Sequence, residues 1–146
     1  MLEVFQFAAI LSCALFAGAA LYINLAEHPA RMQCGTELAA TVFGPSYYRA
    51  AAMQVPLALV ATVSGAGSWW LGDSLLWISG ALLILAVVPF TLLVILPTNK
   101  RLLVTDIDRR SKDTHKLLVR WGRLHAVRTI ASLSATILFL IAALRA

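Results

Sequence analysis

Charged side chains are scarce in this sequence, and that scarcity excludes most soluble folds. They make up 13% of the 146 residues, against about 25% in a typical soluble domain. Apolar residues reach 60% and stand in long unbroken runs, so a disordered chain is excluded as well. The short alternating segments of a β-sandwich are absent. An integral membrane protein is the class that remains.

Cysteine is rarer still, and its placement argues against thiol chemistry. The chain has two cysteines: Cys13 lies in an apolar run and Cys34 in a polar connection. No Cys-x-x-Cys or Cys-x-x-Cys-His motif occurs, so neither a thiol redox centre nor a covalently attached c-type haem is expected. We also expect no disulfide.

Four apolar runs predict an all-α, integral membrane four-helix bundle that forms one domain over residues 1–146. A membrane-spanning helix needs about 20 apolar residues. The segments that reach this length are about 4–26, 50–71, 75–96 and 124–144. The first is interpreted as a retained span and not as a cleaved signal peptide, because the residues before it include Glu3 and no Lys or Arg.

Prolines mark local features of these spans. Pro56 and Pro89 lie within apolar runs and are predicted to kink their helices without ending them. Ahead of the second span, residues 36–42 are predicted to form a short surface helix that ends at the Gly44-Pro45 pair.

Lys and Arg are distributed unequally between the two ends of the predicted bundle. Ten of the twelve lie in the connections after the first and third spans. By the positive-inside rule, this predicts a multi-pass protein of the cell membrane with both long connections in the cytoplasm and both termini on the other side. The basic charge is assigned to topology and to the lipid bilayer, and no nucleic-acid partner is expected because no base-reading module is present.

Polar residues gather at the cytoplasmic end of the first span. Asn24, Glu27, His28 and Arg31 follow one another at i, i+3, i+4 and i+7, which places them on one helix face. Arg31 is interpreted as a side chain that snorkels to the interface.

The fourth span begins with a matching polar face. Trp121, His125 and Arg128 share it by the same spacing, and Arg128 lies about 6 Å inside the apolar run. A charge at that depth needs a partner or water, and Glu27 is predicted to be the partner. With Asn99 at the end of the third span, these faces predict a polar pocket at the cytoplasmic end of the bundle.

Several functions are compatible with such a pocket. His28, His125 and Glu27 would supply the two-histidine, one-carboxylate set of non-haem iron, and the two histidines would serve as axial ligands of a haem. An ion-coupled carrier is disfavoured, because the middle of every span is apolar. Acid–base chemistry on an apolar aromatic molecule from the membrane is another option. A non-enzymatic protein with a purely structural polar cluster is the alternative to all of these.

Four separated sequence blocks resemble the anthrone oxygenase family of small four-span membrane proteins. They are AGAALYINLAEHPAR (17–31), GPSYYRA (44–50), LPTNKRL (96–102) and RWGRLHAVRT (120–129). The resemblance implies oxidation of an anthrone-like or phenolic substrate by molecular oxygen without a bound organic cofactor; iron or haem is left open. The residues that match the polar blocks of the family are Asn24, Glu27, His28, Asn99, Trp121, His125 and Arg128.

These observations give each residue of the pocket an expected role. His28 or His125 is predicted to be the catalytic base, oriented by Glu27, and no metal ligands are assigned. Arg128, together with Asn99, is predicted to stabilise an enolate oxygen. The substrate-binding residues are predicted to be Asn24, Asn99, Trp121 and Tyr47, of which Trp121 or Tyr47 would stack on a flat ring. The oligomeric state is not predicted.

Overall fold

The computed structural model describes residues 1–72 and 74–145, and the regular structure in them is entirely helical. Four helical spans follow one another: Leu2–Gln33, Thr36–Trp70, Leu75–Leu102 and Lys112–Leu144. They are called the first to fourth spans below. Each is long and apolar enough to cross a membrane, which confirms the predicted all-α four-helix membrane architecture.

The spans are longer than predicted, and the additional turns lie at one end of the bundle. The first span continues to Gln33 and the third to Leu102, while the second begins at Thr36 and the fourth at Lys112. Hydropathy identifies only the part of a helix that fits the hydrocarbon layer, about 30 Å thick. The 35 residues of the second span extend over about 52 Å. The helices therefore extend past the apolar runs at the end that carries the polar residues, and the predicted long connections are largely helical.

The predicted helix end at Gly44-Pro45 is wrong, because the second span runs through it as one α-helix. A proline inside a helix costs roughly 3 kcal/mol. Around Phe43, however, this segment buries an apolar face against the other spans, and that burial offsets the cost. Pro56 and Pro89 also lie inside continuous helices, so neither ends its helix, as predicted.

The spans form a ring in which each packs against two others. The first packs against the second and fourth, and the third packs against the same two. Because the connections between consecutive spans are short, neighbouring spans run antiparallel, and both chain termini lie at the same end of the bundle. The side of the membrane on which that end lies stays a prediction.

The core is divided into two apolar clusters along the bundle axis. The terminus-side cluster includes Cys13, Phe16, Trp77, Ile84, Val87 and Phe139. The connection-side cluster includes Ile23, Phe43, Ile95, Leu118 and Trp121. The division matters because the space between them is where the candidate site lies.

Two spans contain a π-helical turn, and each turn ends two residues before a proline. Ile23–Glu27 precedes Pro29, and Thr91–Ile95 precedes Pro97. The His28 N–H bonds to the Ile23 carbonyl, five residues earlier instead of four. A proline cannot donate to the carbonyl four residues before it, and its ring displaces that carbonyl, so the helix widens. Such turns redirect side chains and are frequent at functional sites.

An exposed ion pair lies at the polar end of the bundle. Arg110 donates from Nε and Nη2 to the two carboxylate oxygens of Glu37, at 2.7 and 3.0 Å. This hydrogen bonding raises the pKa of Arg110, so the guanidinium stays charged. The pair joins the connection after the third span to the start of the second. Gly35, with φ +97°, makes the turn between the first two spans possible.

Candidate functional site

A cavity of about 240 Å³ lies between the two core clusters. An engineered protein cavity of roughly 150 Å³ is large enough for benzene, so this one has room for a larger aromatic molecule. Phe16 and Val87 form its wall on the terminus side, and Phe43 and Trp121 form it on the connection side. The polar side chains that line it are Arg31, Ser46, Tyr47, Gln54, Thr91, His125 and Arg128.

The cavity has an apolar mouth on the flank of the bundle, between the second and third spans. Val55, Leu59, Val88 and Leu92 line the cavity and are also 37% to 57% exposed on the outer surface. Lipid-facing side chains of a membrane protein appear exposed in this way when no bilayer surrounds them. An apolar molecule in the bilayer would therefore meet this mouth directly.

His125 is held on one side of the cavity by an amide from the first span. Its Nδ1 lies 2.7 Å from Asn24 Oδ1, and the Thr129 hydroxyl donates to the same oxygen at 2.5 Å. Asn24 Nδ2 donates to the Gly122 carbonyl at 3.0 Å. Asn24 is not among the residues that line the cavity, and it contacts His125 from behind; its substrate-binding role stays a prediction.

Trp121 forms the centre of an aromatic group at the connection end of the cavity. Its ring stacks against His125 at a centroid distance of 4.8 Å and contacts His28 at 5.2 Å and the edge of Phe43 at 5.3 Å. The Arg31 guanidinium lies 5.9 Å from the Trp121 ring centre. His28 packs on the far side of this group and against Gly122, where an added Cβ would lie 2.7 Å from its ring. His28 is therefore not a cavity-lining residue.

The predicted ion pair between Glu27 and Arg128 is wrong. Glu27 instead accepts a hydrogen bond from Ser46 at 2.6 Å and lies 3.7 Å from Arg31, one turn further along the same helix. This pairing places Arg31, which the sequence assigned to the lipid interface, in the interior with 8% of its surface exposed. The π-helical turn Ile23–Glu27 accounts for the difference, because residues after it do not follow the regular α-helical spacing from Asn24 that the prediction assumed.

Arg128 hydrogen-bonds to the second span and contacts an aromatic ring of the first. Its Nη2 donates to Gln54 Oε1 at 2.6 Å, and its guanidinium lies 5.5 Å from the centre of the Phe16 ring. In the part of the chain that the structure describes, no carboxylate is within ion-pair distance of Arg128. A half-buried arginine thus faces the cavity with its charge balanced by no acidic side chain.

Three buried donor atoms in residues that line the cavity have no hydrogen-bond partner among the described residues. They are Arg31 Nε, Gln54 Nε2 and Arg128 Nε. Buried donors without an acceptor are costly and uncommon, and three around one cavity indicate a site for a ligand that offers acceptor oxygens. Two of the three belong to cationic groups, so a negatively charged oxygen would bind best.

The predicted site residues thus fall into three groups. The structure places Tyr47, Trp121, His125 and Arg128 in the cavity wall, and it places Asn24 directly behind His125. It does not place Glu27, His28 or Asn99 in that wall, although Asn99 is buried and its Oδ1 has no partner among the described residues. Gln54 had a visible signal, a polar residue within an apolar run, but Thr129 and Ser46 had none that distinguishes them from ordinary helix hydroxyls.

The metal-site interpretation has no geometric support. No group of three or more His, Cys, Asp and Glu side chains within residues 1–72 and 74–145 is arranged to hold a metal ion. Glu27 interacts with Arg31 and Ser46, as described above, and Trp121 packs against both His28 and His125.

Comparison with known proteins adds three findings. The sequence model of the family described as anthrone oxygenase matches residues 43–138, which is more than half of the chain. Anthrone oxygenase tpcL from Aspergillus fumigatus is 37% identical over 70 residues, which cover 46% of this chain and 44% of that protein. The chain thus spans less than half the length of this relative. No solved structure matches.

Proposed function

The chain belongs to the anthrone oxygenase family, as the resemblance predicted, and from that premise we propose that it oxidises an anthrone-like or phenolic aromatic molecule with molecular oxygen. The observation that supports this most directly is the set of three unpartnered donors around an apolar cavity that also contains His125. An anthrone fits these features because it is flat and apolar and becomes an oxyanion when it loses one proton.

His125 is the proposed base. An anthrone has an acidic CH₂ group between two aromatic rings and opposite a ketone, and deprotonation moves the negative charge onto the ketone oxygen. A histidine can accept this proton when one ring nitrogen carries a free lone pair and faces the substrate. His125 is preferred to His28 because His125 lines the cavity and His28 does not.

Arg128 and Gln54 are the proposed stabilisers of the enolate oxygen. Their unpartnered Nε and Nε2 donors lie in a cavity with mostly apolar walls, where hydrogen bonds to a developing negative charge are strongest. Donors that are already in place need no reorganisation as the charge develops. Tyr47 and Trp121 offer flat faces against which the aromatic rings can stack.

The oxidation itself balances without an external reductant. The enolate transfers one electron to O₂, and the resulting radical pair joins to form a carbon–oxygen bond and a peroxide anion. Proton return gives a hydroperoxide. Loss of the remaining C–H proton together with hydroxide then gives the quinone carbonyl and one molecule of water, so one oxygen atom enters the product.

The apolar mouth supports delivery of the substrate from the bilayer. Val55 and Leu59 on one side, and Val88 and Leu92 on the other, offer hydrocarbon to an approaching molecule, while the polar groups lie deeper. We propose that the protein resides in the cell membrane with the connections 34–35 and 103–111 in the cytoplasm, in keeping with the distribution of Lys and Arg.

Oxygen uptake by purified protein with anthrone as the substrate tests this function. The rate without protein must be subtracted, because anthrones oxidise slowly in air. We expect His125→Gln to lower kcat by about 10²- to 10⁴-fold and His28→Gln to lower it far less. Ser68→Ala is the control, since Ser68 is buried and its hydroxyl donates to the Ser64 carbonyl of its own helix. Equal uptake by wild type, His125→Gln and the protein-free solution would refute the proposal and favour a structural polar cluster.

A further inference from the structure

We propose that Asn24 is a positioning residue that fixes the tautomer of His125, so that Nε2 is the nitrogen free to accept a proton in the cavity. The catalytic consequence rests on the proposed function, because it takes His125 as the base. The hydrogen-bond arrangement itself does not depend on that function and can be tested separately.

The orientation of the Asn24 amide follows from its three neighbours. The Gly122 carbonyl is an acceptor only, so the group 3.0 Å from it must be the Asn24 NH₂. The opposite orientation would place two oxygens in contact at that distance. Asn24 Oδ1 therefore faces Thr129 and His125, and it accepts hydrogen bonds from both.

The protonation of the His125 ring follows from the orientation of the amide. Because Asn24 Oδ1 cannot donate, the 2.7 Å contact requires a proton on His125 Nδ1. A neutral imidazole has one N–H, and the hydrogen bond made by one nitrogen determines the state of the other. Nε2 then carries the lone pair. No protein hydrogen bond to Nε2 occurs in the described chain, so this nitrogen is available to a ligand.

The local backbone explains why an asparagine of the first span reaches this position. Asn24 lies in the π-helical turn Ile23–Glu27, while Gly122, His125 and Thr129 succeed one another along one face of the fourth span. Gly122 leaves the space in which His28 packs. The same amide thus joins two consecutive turns of the fourth span to the first span.

The arrangement replaces the predicted role of Glu27. An acidic residue behind the histidine would stabilise its protonated form, whereas a neutral amide orients the ring without adding charge. Near Arg128, which faces the same cavity without an acidic partner, a neutral partner leaves the positive charge available to the enolate.

Nitrogen-15 NMR of wild-type protein tests the tautomer directly. The chain contains three histidines, so protein labelled only at histidine gives few ring signals, and His125→Gln identifies those of His125. We expect a protonated Nδ1 and an unprotonated Nε2 at neutral pH. A protonated Nε2 with an unprotonated Nδ1 would overturn the inference, whatever the catalytic activity. The tautomer is read from the wild-type protein, and His125→Gln serves only to assign its signals.

Asn24→Leu then tests the consequence for turnover. Removal of the acceptor should shift the ring proton of His125 from Nδ1 toward Nε2 and lower kcat about 10²-fold. The KM should change little, because Asn24 does not line the cavity. Ser68→Ala, which removes another buried polar group, should change neither the tautomer nor kcat. An unaltered tautomer in folded Asn24→Leu would contradict the positioning role.

The two proposals fail in distinguishable ways. Protein with Nδ1–H on His125 but no oxygen uptake on anthrones would support the Asn24 contact and refute the function. Protein whose oxygen uptake depends on His125 but whose ring carries Nε2–H would support the function and refute the role of Asn24.

Discussion

At the scale of single residues, the site depends on a few polar groups whose partners were not visible in the sequence. Arg128 was predicted from its depth in an apolar run, and the structure places it in the cavity wall. Its partner is Gln54 on the second span, not Glu27. The i, i+4 spacing shows which residues share a face of one helix, but it does not show which faces of different helices meet. Partners across spans therefore could not be predicted.

Replacing Arg128 and Gln54 together separates catalysis from stability. In Arg128→Met/Gln54→Leu both hydrogen-bonding partners become apolar, which is close to neutral for stability because neither group is left unpaired. We expect a thermal unfolding midpoint near that of the wild type and a kcat lowered about 10²- to 10³-fold through loss of oxyanion donors.

Arg123→Met is the matched control for the lost charge. Arg123 is exposed at the start of the same span, and oxygen uptake should be unchanged. Wild-type turnover by the double variant would show that these donors do not act on the substrate.

At the scale of elements, the two π-helical turns determine where the polar faces point. The apolar runs predicted the presence of the helices, but a π-helical turn has no residue signature of its own beyond the proline that follows it. The analysis of i, i+4 spacing assumed a regular α-helix through Asn24, Glu27, His28 and Arg31. That assumption placed all four in one pocket, whereas the wider turn separates Asn24 from the Glu27–Arg31 pair.

Deletion of Leu25 tests the importance of the first π-helical turn. Removing one residue should convert Ile23–Glu27 to regular α-helix, because the π-helical turn holds one residue more than an α-helical turn. The residues that follow should keep nearly the same direction, so the change is confined to the turn that carries Asn24, whose amide should lose its position behind His125. We expect unchanged helix content by circular dichroism and at least a tenfold loss of oxygen uptake.

Leu25→Ala is the control for this deletion. Leu25 is 72% exposed, so substitution without deletion should have little effect on activity. A deletion variant as active as Leu25→Ala would show that the wider turn is not needed.

At the scale of the whole molecule, the fold was predictable to a large extent. Four spans, their order and the all-helical class follow from hydropathy alone, because a bilayer permits few other structures. The helix ends near the polar connections were predicted less well, since residues such as Thr36 and Lys112 begin helices outside the apolar runs. A polar pocket was predicted near the connections, but the position of the cavity between the two core clusters was not, because it depends on packing between spans.

The two native cysteines offer a test of the proposed orientation. Cys34 is exposed at the turn between the first two spans, and Cys13 is buried. A thiol reagent that cannot cross membranes should therefore label Cys34 only after the cells are permeabilised, if this connection is cytoplasmic. Cys34→Ser should abolish the labelling. Equal labelling of Cys34 in intact cells would reverse the orientation.

The mouth between the second and third spans determines which substrate concentration controls the rate of the reaction. The site opens toward the lipid through Val55, Leu59, Val88 and Leu92. It therefore takes up substrate that is dissolved in the bilayer and not substrate that is dissolved in water. Its occupancy is then set by the mole fraction of substrate in the bilayer. Adding empty vesicles at constant total substrate lowers this mole fraction and should slow the reaction. The aqueous concentration of an aromatic molecule that partitions strongly into lipid should have little influence on the rate.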